Sequence, residues 1–138
     1  MRILGLDVGD RRIGIAISDE MGITAQGLMT LQRTKIHEDL QKLIQLVQER
    51  EVSKIVVGLP RNMNGTYGPQ SAKVKEFMNR LLETLQVEVV YWDERLTTVA
   101  AQRTLIEGDL SRKKRKLVVD KIAAVIILQS YLDLCSAK

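Results

Sequence analysis

The sequence predicts an α/β protein built on a five-stranded mixed sheet flanked by helices, and three observations carry that expectation. Three short apolar runs at the start are separated only by turn signals, the pattern of an antiparallel meander. Two later apolar runs of strand length alternate with stretches whose apolar residues recur every three or four positions, as parallel crossovers require. The chain then closes on a long apolar helical stretch, giving the order βββαβαβαα and one layered architecture.

Residues 2–8, RILGLDV, form a run rich in Ile, Leu and Val that Gly9 and Asp10 end with a turn. IGIAIS, 13–18, is the return strand, and after the break at Gly22 a third strand is expected between Ile23 and Leu31. Ile36, Leu40, Leu43, Ile44 and Val47 then place one apolar stripe on a helix. KIVVGLP, 54–60, is a fourth strand stopped by Pro60. Val74, Phe77, Met78, Leu81, Leu82 and Leu85 keep the spacing of a second amphipathic helix, and VEVVYW, 87–92, is the fifth strand. Residues 97–107 are expected to be helical, with Thr97 or Thr98 as N-cap and Gly108 as the stop. A polar loop is expected to carry the basic run at 112–116. KLVVDKIAAVIILQSYLDL, 116–134, is a helix apolar around most of its circumference, which must be covered on several sides.

A chain of 138 residues fits a single domain, 1–138, that buries about two-thirds of its unfolded surface. Hydrophobic residues at 45% and charged residues at 28% are ordinary globular usage, so neither disorder nor membrane insertion is expected. The opening apolar run is shorter than the ~7 residues of a signal-peptide core and Asp7 interrupts it, which predicts a cytoplasmic protein. Cys135 is the single cysteine and His37 the single histidine, excluding a disulfide framework and any Cys/His zinc cluster. A metal must therefore be held by oxygen, which suits magnesium or manganese. Cys135 itself, near the end of the last helix, is expected to be inert packing.

The net charge of +4 is concentrated: Arg112, Lys113, Lys114, Arg115 and Lys116 are consecutive, and Arg11 and Arg12 form a smaller group. Five like charges repel one another and stay solvated unless a phosphate backbone draws near; a solubilising loop is the plainer account. One Trp, three Tyr and one Phe make no platform for stacking single-stranded bases, so a nucleic-acid partner is expected to be recognised by its structure.

Three carboxylates stand where apolar elements end. Asp7 occupies a position where strand alternation expects core, so it must reach a strand end, a cation, or the N–H donors of the hairpin from Gly9 to Arg12. Asp93 and Glu94 in YWDERLTT follow the fifth strand and precede Arg95, at the carboxyl end where open α/β sheets place ligands; a solvated turn with a weak surface ion pair is the alternative. Asp120 lies among Val118, Val119, Ile122, Ala123 and Ala124, where the dipole of a helix starting after the basic loop accounts for an anion equally well. Asp7, Glu94 and Asp120 each have a basic residue near in sequence, at Arg11, Arg95 and Arg112. Carboxylates gathered in this way repel, and a pair of divalent ions about 3.5–4 Å apart is the usual means of neutralising them in phosphoryl-transfer sites. In the loop after the fourth strand, Asn62 is a candidate to orient a phosphate, although turn chemistry explains Asn62, Asn64, Gly65 and Thr66 more simply.

LGLDVGDRRIGIAISD, VVGLPRNMNGT, WDERLTT and VDKIAAVIILQSYL, in that order and over most of the chain, resemble the YqgF family, also called RuvX: bacterial proteins with the RNase H-like fold, related to the RuvC Holliday-junction resolvases. The resemblance implies the strand order 3-2-1-4-5. It also implies a metal-dependent nuclease of structured nucleic acid, using two magnesium or manganese ions and processing the 5′ end of pre-16S ribosomal RNA during ribosome biogenesis. The family's acids fall on Asp7, Glu94 and Asp120, with Asp93 an alternative to Glu94. Arg11, Arg12, Asn62, Arg95, Arg112, Lys113, Lys114, Arg115 and Lys116 would hold phosphates. Structured RNA, branched DNA and ribosomal precursor particles are the implied partners, with no membrane and with monomer and homodimer both open.

RuvC-type enzymes carry their second acid near the end of the fourth strand, where this chain reads GLPRN without a carboxylate. Strands one and five stand two spacings apart, roughly 10 Å, so Asp7 and Glu94 meet only if sheet twist and the longer glutamate close that gap. Resolution of four-way DNA is an alternative activity, and two other classes compete with the nuclease. One is a non-catalytic module docking its basic run on ribosomal RNA. The other is the related sugar-kinase and actin ATPases, which open with a glycine hairpin similar to DVGDRRIG but need two domains where this length leaves room for one.

Overall fold

Side chains that alternate between two faces of one sheet account for most of the architecture. The computed structural model describes residues 2–60 and 68–94, the backbone of 112–136, and the side chains of that last stretch from 121 onward. Strands β1 (Arg2–Val8), β2 (Arg12–Ser18), β3 (Ala25–Gln32), β4 (Val52–Leu59) and β5 (Glu88–Asp93) form a single sheet in the order β3-β2-β1-β4-β5. The first three strands pair antiparallel, and β4 joins β1 and β5 in parallel. Mixed pairing and the order 3-2-1-4-5 are as expected from the sequence. A three-residue connection, Gly9 to Arg11, joins β1 to β2, closed by the Gly9 amide donating to the Arg12 carbonyl at 2.9 Å.

On one face Leu4, Leu6 and Val8 of β1, Ile13, Ile15 and Ile17 of β2, and Ile55, Val57 and Leu59 of β4 meet two helices. These are α1 (Ile36–Glu49), which buries Leu40, Leu43, Ile44 and Val47, and α2 (Pro69–Leu82), which buries Val74, Phe77, Met78 and Leu81. Each such side chain, fully buried, contributes on the order of 1.5–3 kcal/mol, so this face is the main core. Pro69 opens α2, where its missing N–H costs nothing, and the Ser71 hydroxyl donates to the Pro60 carbonyl, tying the helix to the end of β4.

The opposite face carries α3 (Arg112–Ser136). Among its described side chains, Ala123, Ala124, Ile127, Leu128 and Leu132 pack on Ala16 and Val56. Small residues line the row beneath: Gly27, Ala16 and Gly5 are successive cross-strand partners. A β-carbon at Gly5 would stand 2.7 Å from Leu128 Cβ and 3.0 Å from the Ala124 carbonyl, so glycine there lets α3 approach the sheet closely.

Two expectations change. The basic run is not in a loop: α3 is helical from Arg112, consistent with the good helix propensity of Arg and Lys. From 121 to 132 the described side chains of α3 are all buried or partly buried, the most buried of them on the sheet side. Cys135 is exposed, not packed, because it falls one turn beyond Leu132 where the helix leaves the sheet. The helix expected at 97–107 lies outside the described residues. Among the described residues no helix is long and apolar enough to cross a membrane.

Candidate active site

β1 turns Leu6 toward α1 and α2, so its neighbour Asp7 faces α3. Asp7 is 8% exposed, a buried carboxylate at the carboxyl end of the central strand. Its partner across β2 is Gly14, and beyond Gly14 on β3 stands Thr30. On the other side Leu6 pairs with Val57, which puts Gly58 of β4 next along from Asp7. Asp7 is thus flanked on both neighbouring strands by residues with no side chain.

Glu94 follows β5 immediately. Gly58 pairs with Trp92, and the Glu94 side chain folds back over Gly58: a β-carbon there would stand 2.9 Å from Glu94 Oε1, 3.3 Å from its Cγ and 2.5 Å from Ile127 Cδ1 of α3. The carboxylate of β5 therefore lies above β4. One strand spacing of about 4.8 Å, rather than two, separates that position from β1. Asp93 pairs with Leu59, a residue of the main core, so the pleat gives Asp93 to the α1 and α2 side. Asp7 and Glu94 share a face that Asp93 does not.

Asp120 stands in α3 three and four residues before the buried Ala123 and Ala124, and its side chain is outside the described residues. With the helix beginning at Arg112, Asp120 is beyond the first turn, where the helix dipole has faded, so that account of an anion at this position is corrected. Arg95 and Asn62 lie outside the described residues, as do the side chains of Arg112, Lys113, Lys114, Arg115 and Lys116. Among the described residues, no group of three or more metal-ligating side chains is assembled.

Hard oxygen donors, two carboxylates on one face, and a glycine that leaves room between them fit a magnesium or manganese ion. Asp7 and Glu94 are the described residues that could hold it. The aromatic support is Trp92, whose ring meets Tyr131 of α3 edge-on at 5.8 Å, while Lys54 Nζ holds the Tyr131 hydroxyl at 2.9 Å. This contact pins the end of β5 to α3 just before Glu94.

The β1–β2 turn next to Asp7 is braced from the other face. Arg33 donates through Nε to Asp39 at 3.2 Å and through a terminal nitrogen to the Gly9 carbonyl at 2.9 Å, and its guanidinium lies 4.9 Å from the centre of the Phe77 ring. Asp39, 1% exposed, also accepts the Thr34 amide at 3.0 Å. Sequence reasoning missed both Gly58 and this Arg33–Asp39 pair. A glycine inside KIVVGLP is a signal of close approach that could have revealed the first; the second joins residues six apart whose burial no local pattern announces.

The RuvX family model, described as Holliday junction resolvase, matches residues 1–134. A protein of Heliobacterium modesticaldum named "Putative pre-16S rRNA nuclease" is 61% identical over 133 residues, covering 96% of this chain and 89% of the relative. One of the same name from Clostridium tetani is 61% identical, covering 96% of each. Among solved structures, RuvC of T. thermophilus in complex with a Holliday junction substrate superposes with a TM-score of 0.65 at 12% identity, over 99% of this chain and 96% of that one. The fowlpox virus Holliday junction resolvase gives 0.57 at 14%, over 98% and 99%. The fold is accordingly the RNase H-like fold of these resolvases, and by its near full-length match the chain belongs to the RuvX family.

Proposed function

We propose that the chain, acting as a single domain, is a metal-dependent endonuclease of structured nucleic acid that processes the 5′ end of pre-16S ribosomal RNA. The observation that supports it most directly is the Glu94 carboxylate lying over Gly58, one strand from Asp7 on the same face. Names carried by relatives at 61% identity favour ribosomal RNA as the substrate.

In this proposal Asp7, Glu94 and Asp120 would hold two divalent ions. Such ions, when bound, lower the pKa of the attacking water and stabilise the leaving 3′ oxygen of an in-line displacement. The water oxygen bonds to phosphorus, the P–O3′ bond breaks, and the products are a 5′ phosphate and a 3′ hydroxyl. Arg11, Arg12, Arg95 and the cations at 112–116 hold phosphates and so set affinity and register, with little choice of sequence. Asn62 orients one of them. Burial of Asp7 strengthens its attraction to any cation.

The test is hydrolysis of a precursor 16S fragment and of a four-way DNA junction with manganese or magnesium. Cleavage of the RNA at its mature 5′ end, abolished by chelation and by Asp7→Asn, is expected. Activity unchanged in Asp7→Asn refutes the site, and binding without cleavage under any metal favours a docking module. The family description and the RuvC structure favour a second substrate, and preferential cutting of the junction would assign the chain to resolution of branched DNA.

A further inference from the structure

Val8 follows Asp7 in β1 and so faces the reverse side of the sheet, where it forms part of a groove of about 690 Å³. The groove lies between the β1–β2 turn and the first turns of α1 and α2. Four basic side chains border it, Arg11, Arg12, Arg33 and Lys73, against two acidic ones, Asp10 and Glu76. Its volume falls within the ~300–1,000 Å³ of ordinary ligand sites, enough for the sugar and phosphate of a nucleotide.

Arg33 is the fixed element of this groove. Asp39 and the Gly9 carbonyl engage two of its five N–H donors among the described residues, and Phe77 backs the guanidinium plane. Three donors remain on a group whose orientation is already set, which suits bidentate recognition of a phosphate. Lys73 reaches across the mouth to Asp10 at 3.6 Å, but both side chains are more than 60% exposed, and such a pair exchanges easily for a stronger anion. Among the described residues, α2 begins beside the groove with no acidic residue in its first turn and no side-chain cap, so its own first turn does not neutralise its positive end.

We propose that this groove, on the face of the sheet opposite Asp7 and Glu94, binds the phosphodiester backbone of the nucleic-acid substrate where it continues past the scissile phosphate, with Arg11, Arg33 and Lys73 as its ligands. The inference rests on the nuclease reading above for the position of the scissile phosphate. The short turn between β1 and β2 is a narrow ridge, and a strand lying over it passes from one face to the other, so the groove receives a phosphate within a few nucleotides of the cut.

The experiment uses the full chain carrying Asp7→Asn, with calcium in place of magnesium, so that binding is read without cleavage. Fluorescence anisotropy on the precursor RNA fragment across a salt series should show Lys73→Glu with Arg11→Glu binding at least about tenfold more weakly, with a salt slope shallower by about one to two. Arg33→Lys, which keeps charge and fold but loses the planar fork, should weaken binding severalfold. In a Cys135→Ser background, iron–EDTA tethered at Lys73→Cys should cut the RNA within a few nucleotides, and to one side only, of the site that the active enzyme cleaves. Wild-type affinity and slope in the double variant, or cutting scattered along the RNA, overturns the groove, as does protection of Lys73→Cys from alkylation by inorganic phosphate as fully as by RNA. The wild-type enzyme is assayed for cleavage in parallel. Cleavage with a groove-independent affinity refutes this inference alone, whereas groove-dependent binding by an enzyme that cleaves nothing refutes the nuclease and leaves the groove standing.

Discussion

Glu94 and Gly58 share one space: the glutamate carboxylate occupies the position that any side chain at residue 58 would claim. The carboxylate that follows β5 thus lies over β4, the strand next to β1. Gly58→Ala should place a methyl 2.5 Å from Ile127 Cδ1 and 2.9 Å from Glu94 Oε1, costing about 1–3 kcal/mol of stability by overpacking and reducing cleavage at least about tenfold. Adding Ile127→Val should restore much of the stability, read by urea unfolding. Cleavage should stay low, because the carboxylate remains displaced.

On the proposed site, Glu94 should act through its reach as well as its charge. Glu94→Asp keeps the carboxylate but is one carbon too short to cross β4, so its activity should fall nearly as far as that of Glu94→Gln, by about a hundredfold or more in a metal-dependent cleavage assay. Asp93→Asn should change cleavage little, since its partner Leu59 belongs to the other face. The reverse ranking would move the second acid to Asp93.

Gly5→Ala separates packing from chemistry. Its methyl meets Leu128 Cβ at 2.7 Å and the Ala124 carbonyl at 3.0 Å, neither of which is the loose end of a side chain. A loss of about 1–3 kcal/mol in chemical unfolding is expected, without the selective loss of cleavage expected at residue 58.

The buried Arg33–Asp39 pair is a brace. Asp39→Ala leaves a guanidinium beside an emptied site and the Thr34 amide without its acceptor, so a loss of about 3–5 kcal/mol is expected in urea unfolding. A loss below 1 kcal/mol would mean that water replaces the carboxylate.

Acid should expose one turn. The amides of Thr24 and Ile23 donate to Asp19 and hold its carboxyl below the usual 3.8, in the turn between β2 and β3. Because its folded value is lowered, its contribution is present above the unfolded value and disappears as pH falls below about 4 through the lowered one. Asp19→Asn should flatten that part of the stability profile between pH 5 and the acid limit, measured as the urea midpoint against pH.

Much of this molecule is legible along the chain. Strand and helix positions follow from the apolar periods of residues such as Leu4, Leu6 and Val8 or Val74, Phe77, Met78 and Leu81, because burial on one face leaves a regular trace. Asp7 and Glu94 are visible as carboxylates in apolar surroundings. Their approach is not, because it depends on a missing side chain on a third strand, and an absence at Gly58 acquires meaning only when Trp92 is known to pair with it. Five adjacent charges carry no period, so the sequence of the basic run points to a loop, yet Arg and Lys are good helix formers and no local rule forbids the helix that the structure adopts. Arg33, Asp39 and Lys73 passed unnoticed for a related reason: their partners come from three different elements.

The row Gly27, Ala16, Gly5 works as a notch for the last helix. Leu128 and the Ala124 carbonyl settle on Gly5 while the stem of Lys121 settles on Gly27, 2.8 Å from where its β-carbon would be. Two such seats fix both the rotational phase and the axial setting of that rod. One residue inserted after Lys121 would turn everything upstream by about 100°, whereas an insertion before Arg112 would leave the phase untouched. Length variation among related chains should accordingly be tolerated ahead of the helix and rejected within it.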